Sequence, residues 1–495
     1  MVTLISPYDP AGRLWLRGQL HTHTTRSDGA RDPQTTIDAY AALGYDFLML
    51  SDHDTLGTVA EFDGRGMLLI PGNEISNDGP HMLHVDARSF VPPDADRQKV
   101  INAVAADGGF TVCNHPNWQE HFNHFPQALL ERLDGYAGLE IYNGVIRRLY
   151  GLELATDRWD MLLSKGRKLW GYGNDDSHHD IDTGLAWNVA WVKERTAAAV
   201  VEALRTGSFY ASSGVCITGI RVWGDNIGVT APGAQKMIVT GLHGRRIQEQ
   251  AGGEIVYRVR DEDHGYIRVT AVGGPDQYAF IQPFFIIRTQ PGLATGELIS
   301  HRMAWVDRPL KLDGNRGDAA WNAIKPFESF VDMRSAKPSP FTPDTRLATD
   351  GRTLFVSILC PEPDPAHMKV QVKENGQVRL WTDDGVELFI DPTGRRKNYL
   401  QFLVNSAGFW HSIGMGGRPA AAVPITVKAG RREFAYLLEI AIPLTALGED
   451  VSLSAPWAFN ISRNRYGPPV GHCQWAFTAG TNHSPHLFGT LDFTT

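Results

Sequence analysis

The stretch LRGQLHTHTTRSDG, residues 16–29, decides how the first third of this chain is interpreted. It begins with a short apolar run typical of a buried strand, and His21 and His23 follow where that strand would end. Imidazole nitrogens are common ligands of divalent transition metals. The stretch therefore predicts a strand whose carboxyl end carries metal-binding chemistry.

The same arrangement recurs along the chain to about residue 173. Segments with helical periodicity lie in several of the gaps between the apolar runs, at 34–43, 97–107, 127–133 and 156–165, and a fifth follows at 197–205. Alternating strands and helices favour a parallel sheet or barrel. The first third is therefore predicted to be α/β, with seven apolar runs at 16–20, 46–50, 67–70, 81–85, 109–113, 138–142 and 168–172.

Each of these runs has a histidine or a carboxylate at or near its end. In a parallel α/β barrel the carboxyl ends of the strands meet on one face, so residues distant in sequence converge there. Imidazole and carboxylate suit Zn, Mn or Fe, and the set is larger than one tetrahedral ion needs, so we expect a multinuclear site. The candidates are His21, His23, Asp52, His53, Asp54, Glu74, His81, His115, Glu140, Asp176 and His178.

Composition narrows the class of protein. The 495 residues are 42% hydrophobic and 21% charged, as in soluble globular proteins, and the length suggests about three domains. The net charge of -8 argues against a nucleic-acid partner. The four cysteines form no Cys-x-x-Cys pair, so neither a disulfide framework nor a zinc knuckle is expected. Neither a signal peptide nor a membrane span is visible, which predicts a cytoplasmic protein without a membrane partner.

The alternation of apolar runs with helical segments ends at about residue 215. Residues 216–290 alternate apolar and polar positions without a convincing helix, and 291–345 are rich in Pro, Gly and Asp. Paired short strands follow, as in a β-sandwich. We therefore predict a multidomain chain with a barrel over 1–215, a small all-β domain over 216–300 and a sandwich over 311–495.

The motifs of the first third resemble the PHP (polymerase and histidinol phosphatase) family, in particular its carbaryl-hydrolase-like branch. The resemblance implies a distorted (β/α)7 barrel that holds two or three divalent ions. The matching segments, in family order, are LRGQLHTHTTRSDG, GYDFLMLSDHD, PGNEI, GPHM, NHP, GLEIYNG, NDDSHH and GSFYASSG.

This resemblance also implies how the ligands are shared. His81 is preferred over His84 because of the family's Gly-x-His pattern, whereas His84, His121 and His124 are expected to lie outside the ligand set. The implied sets are His21, His23, Glu74 and Asp176 for one ion, Glu74, His81 and His115 for a second, and Asp28, His53 and His178 for a third.

Other polar residues near these motifs have open roles. Asp52 and Asp54 flank His53, and each either hydrogen-bonds a ligating imidazole, which we favour, or accepts a proton from metal-bound water. Glu140 is an extra ligand or a buried structural carboxylate. Arg147, beside Arg148, is a candidate to clamp a phosphate oxygen, although exposed arginines are commonly just solvated. His179 is a candidate to orient a substrate.

The C-terminal region resembles a family-9-like carbohydrate-binding sandwich through KLDGNRGDAAW, LWTDDGVELFIDP, WAFNISRNR and HSPHLFGTLDF. Trp381 and Trp410 are candidates to stack on sugar rings, although sandwiches commonly bury tryptophan in the core. Asp383 and Asp384 could accept hydrogen bonds from sugar hydroxyls. Arg463 and Arg465 lie in a matching segment, with the same two interpretations.

These patterns predict a metal-dependent hydrolase, most directly a phosphoesterase that uses metal-activated water. Its expected substrate is a small-molecule or glycan-linked phosphoester, with carbohydrate as a further partner. Two alternatives stay open: a carbamate, ester or amide hydrolase at the same site, and a carbohydrate-binding protein whose barrel is inactive.

Overall fold

The computed structural model describes residues 2–56, 59–294, 296–421, 424–449 and 451–493. The chain forms two compact units, one of Thr3–Ile286 and one of Ile287–Thr495 with Met1–Val2. Helix accounts for only 16% of the chain. The prediction of a multidomain chain with a C-terminal β-sandwich is confirmed, whereas the predicted distorted (β/α)7 barrel is not evident.

The five helical segments predicted from periodicity are confirmed, and local sequence explains where they begin and end. Asp96 caps the helix over 97–107 by accepting a hydrogen bond from the Gln98 backbone N–H, and Gly108 ends it at φ +93°. Thr196 caps the amino end of the helix over 197–206 in the same way, and Gly207 ends that helix at φ +88°. The helices are α1 Pro33–Ala42, α2 Arg97–Asp107, α3 Gln127–Arg132, α4 Thr156–Ser164 and α5 Ala197–Thr206.

All seven predicted apolar runs contain strands. Outside these runs, the strands Val2–Ile5, Trp187–Val192 and Phe209–Ser212 were not predicted, and neither was one further strand between the third and fourth runs. That strand, Gly72–Ile75, is four residues long and half polar, so its pattern was too short to separate from the run before it. The strands to residue 288 are β1 Val2–Ile5, β2 Leu14–Gln19, β3 Phe47–Leu48, β4 Leu68–Leu69, β5 Gly72–Ile75, β6 Met82–Val85, β7 Phe110–Cys113, β8 Gly138–Asn143, β9 Trp170–Asn174, β10 Trp187–Val192, β11 Phe209–Ser212, β12 Gly219–Trp223, β13 Asn226–Thr230, β14 Lys236–Gly241, β15 Arg245–Ala251, β16 Glu254–Arg258, β17 Gly265–Val272, β18 Tyr278–Ile281 and β19 Phe284–Arg288.

Strand direction explains the departure from a regular barrel. β7, β8 and β9 are parallel, as are β2, β3 and β4, but β6 is antiparallel to both β5 and β7. The connection from β5 to β6 is too short for the helical crossover that a parallel pair requires. The expectation of βα units throughout is therefore wrong for β5 and β6.

Two backbone bridges join the sheet of β2 and β3 to the sheet of β5 to β9. Thr22 pairs with Ser177 after β2 and β9, and His53 pairs with Glu74 after β3. With the ladders within each sheet, these bridges connect β2, β3 and β5 to β9 in a closed cycle. The segments that follow several of these strands are thereby brought together.

The β-rich segment after residue 215 belongs to the same compact unit as the strands before it. β18 pairs with β11, and β14 and β17 continue that sheet, whereas β12, β13 and β16 form a separate three-stranded sheet. The division into domains over 1–215, 216–300 and 311–495 stays a prediction. Among the described helices, none has both the length and the apolar character needed to cross a bilayer.

The second unit is a sandwich of an eight-stranded and a five-stranded sheet. Alternate residues of facing strands, such as Val356, Leu388 and Leu438, fill the space between the sheets. Its strands are β20 Ser300–Arg302, β21 Ala304–Trp305, β22 Val331–Asp332, β23 Asp344–Thr349, β24 Thr353–Pro361, β25 Gly385–Asp391, β26 Tyr399–Asn405, β27 Trp410–Met415, β28 Thr426–Arg432, β29 Ala435–Pro443, β30 Trp457–Arg465, β31 Gly471–Gln474 and β32 Gly489–Asp492.

The described residues also form nine short 3-10 helices. The segment Val378–Thr382 contacts β25, β26 and β27 and carries Trp381. The 3-10 helices are Glu120–Phe122, Val145–Arg148, Asp180–Asp182, Leu242–Gly244, Ala319–Ala323, Pro365–His367, Val378–Thr382, Leu444–Leu447 and Pro485–Leu487.

The stability of the sandwich should depend on residues that precede residue 311. β20 pairs with β32, β21 pairs with β23, and Met303 between them is buried in the core. A fragment of residues 287–495 should therefore unfold cooperatively and be more stable than residues 311–495 by at least about 2 kcal/mol, the usual cost of losing one large buried side chain. Urea denaturation followed by circular dichroism measures the difference. Equal midpoints for the two fragments would contradict this assignment.

Candidate metal centre

The nine residues predicted as metal ligands lie close together in the first unit. His21 and His23 follow β2, Glu74 lies in β5, and the others sit at or near the ends of neighbouring strands. Five overlapping sets have ligand atoms within 4.8 Å of one another: His23, Asp28, His53 and His178; His81, His115 and His124; His21, Glu74 and His115; His21, His23 and Asp176; and His53, Glu74 and His81.

Glu74 is the carboxylate shared by most of these residues, and it is fully buried. Its Oε1 lies 3.3 Å from His21 Nε2, 3.2 Å from His81 Nδ1 and 3.4 Å from His115 Nε2. Its Oε2 lies 2.8 Å from His53 Nδ1. Burial alone would raise the pKa of this carboxyl, but the charges of His21 and His81 lower the pKa of Glu74 well below its usual range.

Asp176 is a second buried carboxylate of the centre. Its Oδ1 lies 3.2 Å from His21 Nε2 and 3.1 Å from His23 Nε2. Its backbone has φ +54°, a conformation that a residue other than glycine adopts at a cost. Asn143 Nδ2 donates to Asp176 Oδ2 over 3.2 Å. The backbone conformation of Asp176 and the hydrogen bond from Asn143 on β8 therefore both fix the position of this carboxylate.

The third predicted set forms the open side of the centre. Asp28 is 53% exposed, and its Oδ2 lies 3.6 Å from His53 Nε2 and 3.3 Å from His178 Nε2. Both imidazoles are partly exposed. Burial opposes a charged His53, but its contacts with Asp28 and Glu74 outweigh burial and raise the pKa of His53 to about 10. A metal ion would have to displace protons to bind here.

The donor set fits divalent metal ions. His21 Nε2 and His81 Nδ1 are buried and make no hydrogen bond among the described residues, although Glu74 Oε1 lies near both. Buried polar atoms are normally hydrogen-bonded, so nitrogens left free beside a shared carboxylate oxygen suggest a ligand between them. Imidazole nitrogen and carboxylate oxygen are the donors that Zn, Mn and Fe accept.

Glu140 is buried and hydrogen-bonded on both oxygens, which favours the structural carboxylate of the two interpretations left open by the sequence. Its Oε1 lies 2.7 Å from His21 Nδ1 and accepts from Asn174 Nδ2 at 2.8 Å. Its Oε2 accepts from the His115 backbone N–H and from Asn143 Nδ2, each over 2.9 Å. With the proton on Nδ1, the Nε2 of His21 is left free toward Glu74.

We expected Asp52 and Asp54 to hydrogen-bond ligating imidazoles, but the hydrogen bonds of both carboxylates are with other groups. Asp52 is buried and accepts from the Thr24 backbone and hydroxyl and from the Ser27 hydroxyl, all in the loop that carries Asp28. Asp54 accepts from the backbone N–H groups of residues 76 and 77. Both carboxylates hold loops in place, and their oxygens are occupied by these donors.

Arg147 and His179 also lie outside the ligand set. Arg147 is partly exposed, and its Nη2 lies 3.1 Å from Asp276. His179 is exposed and caps the 3-10 helix Asp180–Asp182. Asp182 binds Arg148 through both its oxygens, at 2.7 and 2.9 Å. Neither of the two candidates contacts a predicted ligand among the described contacts.

Sequence reasoning missed two residues that meet the centre. His124 was expected outside the ligand set, yet its ring nitrogen clusters with those of His81 and His115, and its Nε2 accepts a hydrogen bond from the His81 backbone N–H at 3.0 Å. Asn114 Nδ2 donates to Glu74 Oε1 at 2.6 Å. Asn114 precedes His115 in a quoted motif, so that motif held a usable signal, whereas His124 lies in a loop without periodicity.

In the sandwich, the structure separates the two candidate tryptophans. Trp381 is 52% exposed, whereas Trp410 is partly buried against the core. Asp383 is fully buried and accepts from two backbone N–H groups and from Asn405, so it is not available to a sugar hydroxyl. Asp384 is equally buried and accepts from the backbone of residues 369 and 466.

Arg463 and Arg465 are also structural. Both guanidinium groups are buried beside Glu362, with Arg465 Nη2 2.7 Å from Glu362 Oε1. Arg463 Nη1 donates to the Phe341 carbonyl, and Arg465 Nη1 donates to the Gly467 carbonyl. They therefore stabilise the sandwich from within.

Comparison with known proteins identifies the C-terminal region. Residues 312–495 match the family model of the carbohydrate family 9 binding domain-like proteins. A family 9 carbohydrate-binding module from Caldicellulosiruptor kristjanssonii in complex with cellotriose is similar at 18% identity and a TM-score of 0.29, over 39% of this chain and 93% of that chain. The prediction of a family-9-like sandwich is confirmed. No curated protein matches the chain.

Two further solved structures are similar to the chain. A two-domain protein from Bacteroides vulgatus containing a predicted PHP-like metal-dependent phosphoesterase has 19% identity and a TM-score of 0.35, over 56% of this chain and 97% of that chain. A putative metal-dependent phosphoesterase from Bifidobacterium adolescentis has 18% identity and a TM-score of 0.26, over 32% of this chain and 87% of that chain. Such scores carry no argument about activity, and the carbaryl-hydrolase-like branch finds no support in these comparisons.

Substitution of Glu140 tests its orienting role. Glu140→Gln keeps the shape but removes the charge that holds the His21 proton on Nδ1, so divalent-metal affinity should fall about 10- to 100-fold with little change in fold. Zn²⁺ titration with a competing chelator measures the affinity. Glu202→Gln, at an exposed position of α5, is the matched control. Unchanged affinity in the Glu140 variant would contradict the role.

Proposed function

We propose that the unit of residues 3–286 is a metal-dependent hydrolase, specifically a phosphoesterase. The observation that carries this proposal is the position of Glu74, a buried carboxylate within 3.4 Å of imidazole nitrogens from four strand ends. A set of this kind suits several ions with a shared ligand. The closed cycle of strands supports a distorted barrel like that of the PHP family as its scaffold.

The proposed ligands divide into three groups around two to three ions of Zn, Mn or Fe. The donor atoms of His21, His23 and Asp176 cluster, as do those of Asp28, His53 and His178. Glu74 clusters with His21 and His115 and also with His53 and His81, which supports its place as a shared ligand. The groups are His21, His23, Glu74 and Asp176; Glu74, His81 and His115; and Asp28, His53 and His178.

The ions would supply a water of lowered pKa and would offset negative charge on the phosphoryl oxygens. The chain's own residues prepare the site for that reaction. Glu140 keeps the His21 proton on Nδ1, and Asp52 holds the loop that carries Asp28. The buried residues form a floor that excludes bulk water, whereas Asp28, His53 and His178 leave one side open to the substrate.

For the second unit we propose carbohydrate binding at the face of the eight-stranded sheet that points away from the core. Glu387 lies on this face, since its neighbours Val386 and Leu388 pack in the core. Its carboxylate accepts from Gln401 Nε2 at 2.6 Å and from Asn464 Nδ2 at 2.5 Å.

This face also has polar groups available to a ligand. Ser462, opposite Glu387, and Gln474, opposite Ser462, have side-chain atoms without a hydrogen bond among the described residues. Exposed Trp381 is linked to the same face, because its carbonyl accepts at 3.4 Å from Asn464 Nδ2, the group that also donates to Glu387. An aromatic ring beside hydrogen-bonding groups suits a sugar.

Removal of the charge on Glu74 tests the hydrolase. Glu74→Gln should lose at least one equivalent of metal and reduce hydrolysis of p-nitrophenyl phosphate by at least about 100-fold, because a shared ligand affects two ions. Elemental analysis and a colorimetric assay measure both, with Glu202→Gln as control.

Activity of the wild-type protein that survives a strong chelator would refute the metal dependence. Faster turnover of an aryl carbamate than of the phosphate ester would instead favour the carbamate, ester or amide hydrolase. A protein that holds metal but hydrolyses neither class would favour the carbohydrate-binding protein with an inactive barrel.

Cello-oligosaccharide titration tests the sandwich. Trp381→Ala should abolish heat release on addition of cellotriose without lowering the unfolding midpoint, because the ring is exposed and contributes little to the core. Trp305→Ala, another exposed tryptophan of the same unit, should bind like the wild type. Equal affinity of the Trp381 variant and the wild type would remove Trp381 from the site.

A further inference from the structure

Two loops beside the metal centre pair with each other. The first follows β7 and the second follows β8. The Gln119 backbone N–H donates to the Tyr150 carbonyl at 2.8 Å, and the Leu152 N–H donates to the Asn117 carbonyl at 3.0 Å. Trp118 forms a backbone bridge with Gly151 between them. The two loops therefore form one surface.

Several large apolar side chains on that surface are exposed to solvent, beside polar residues such as Gln119, Glu120 and His121. Phe122, Leu149, Tyr150 and Leu152 are all exposed, and Tyr150 is 78% exposed. Together with half-buried Trp118 we name these five residues the apolar rim. Large apolar side chains concentrated on one surface commonly mark a place where something binds.

The apolar rim begins at the proposed metal ligands. The Trp118 ring centroid lies 4.9 Å from that of His115 and 5.6 Å from that of His81. The His81 ring in turn lies 5.4 Å from His53, on the open side of the centre. A substrate bound at the open side would therefore have the indole ring close to its organic part.

The rim is held in place by hydrogen bonds. Arg158 Nε donates to Asn117 Oδ1, and its Nη2 donates to the Phe122 carbonyl, both at 2.9 Å. Gln119, His121 and Phe122 all have positive φ, which a bulky residue adopts only when the surroundings enforce it. The loop is thus fixed in a strained conformation that leaves the Phe122 ring exposed.

We propose that the apolar rim binds the organic part of the substrate, and that the substrates are phosphoesters of aryl or similarly apolar alcohols. This inference rests on the proposed phosphoesterase. Sugar recognition requires several polar groups between aromatic rings to pair with hydroxyls. The side chains of the rim offer only the Tyr150 hydroxyl and the Trp118 indole N–H, which favours an apolar ligand.

Two non-hydrolysable phosphonates test the inference on the metal-loaded full chain. Phenylphosphonate and methylphosphonate carry the same anionic group and differ in the apolar part. Calorimetric titration should show phenylphosphonate binding about tenfold more tightly, the size of effect that an apolar pocket gives for a hydrophobic substituent. Trp118→Ala and Tyr150→Ser should remove that preference, with the metal content of each variant measured alongside.

Trp223→Ala is the matched control, since Trp223 is exposed on β12 in the same unit. Equal affinity of the wild type for both phosphonates, or a phenyl preference that survives in both rim variants, would overturn the inference and leave the phosphoesterase standing. Tighter binding of a sugar phosphonate than of phenylphosphonate would also overturn it. Failure of every phosphonate to bind, with no turnover of p-nitrophenyl phosphate, would overturn both proposals.

Discussion

A single imidazole in this protein faces three buried carboxylates. His21 lies 2.7 Å from Glu140 through Nδ1, and 3.3 and 3.2 Å from Glu74 and Asp176 through Nε2. Two like charges 4 Å apart repel by about 4 kcal/mol at an effective dielectric constant near 20. Three buried anions therefore require positive charge among them, which protonated imidazoles or metal ions can provide. Several surrounding strand ends carry imidazoles that can meet this requirement.

The five α-helices and the strands of the seven apolar runs could be predicted because each has a clear local pattern. The segment over 97–107, for example, was predicted with the bounds that the structure shows. Strand β5 could not be separated from its neighbour, because polar Asn73 and Glu74 occupy half of its four residues. The antiparallel direction of β6 depends on the length of a loop that carries no periodicity.

The side-chain roles were harder to predict than the positions. Asp52 and Asp54 flank a candidate ligand in sequence, but backbone geometry turns their carboxylates toward loops. Glu140 could be assigned only once four donors, three of them from residues distant in sequence, were seen around it. In the sandwich, the buried Arg465 meets Glu362 from 103 positions away. Sequence spacing contains no information about such pairs.

The backbone bridges that join the two sheets of the first unit are made by the same segments that carry the proposed ligands. The His23 N–H donates to the Ser177 carbonyl at 2.9 Å, the Asp176 N–H to the His21 carbonyl at 3.0 Å, and the Asp54 N–H to the Glu74 carbonyl at 2.8 Å. Opening of this seam would separate ligands of one ion, so ion binding and seam closure stabilise each other. The exchange of these amide hydrogens with solvent deuterium would thus report occupancy of the centre, independently of any catalysed reaction.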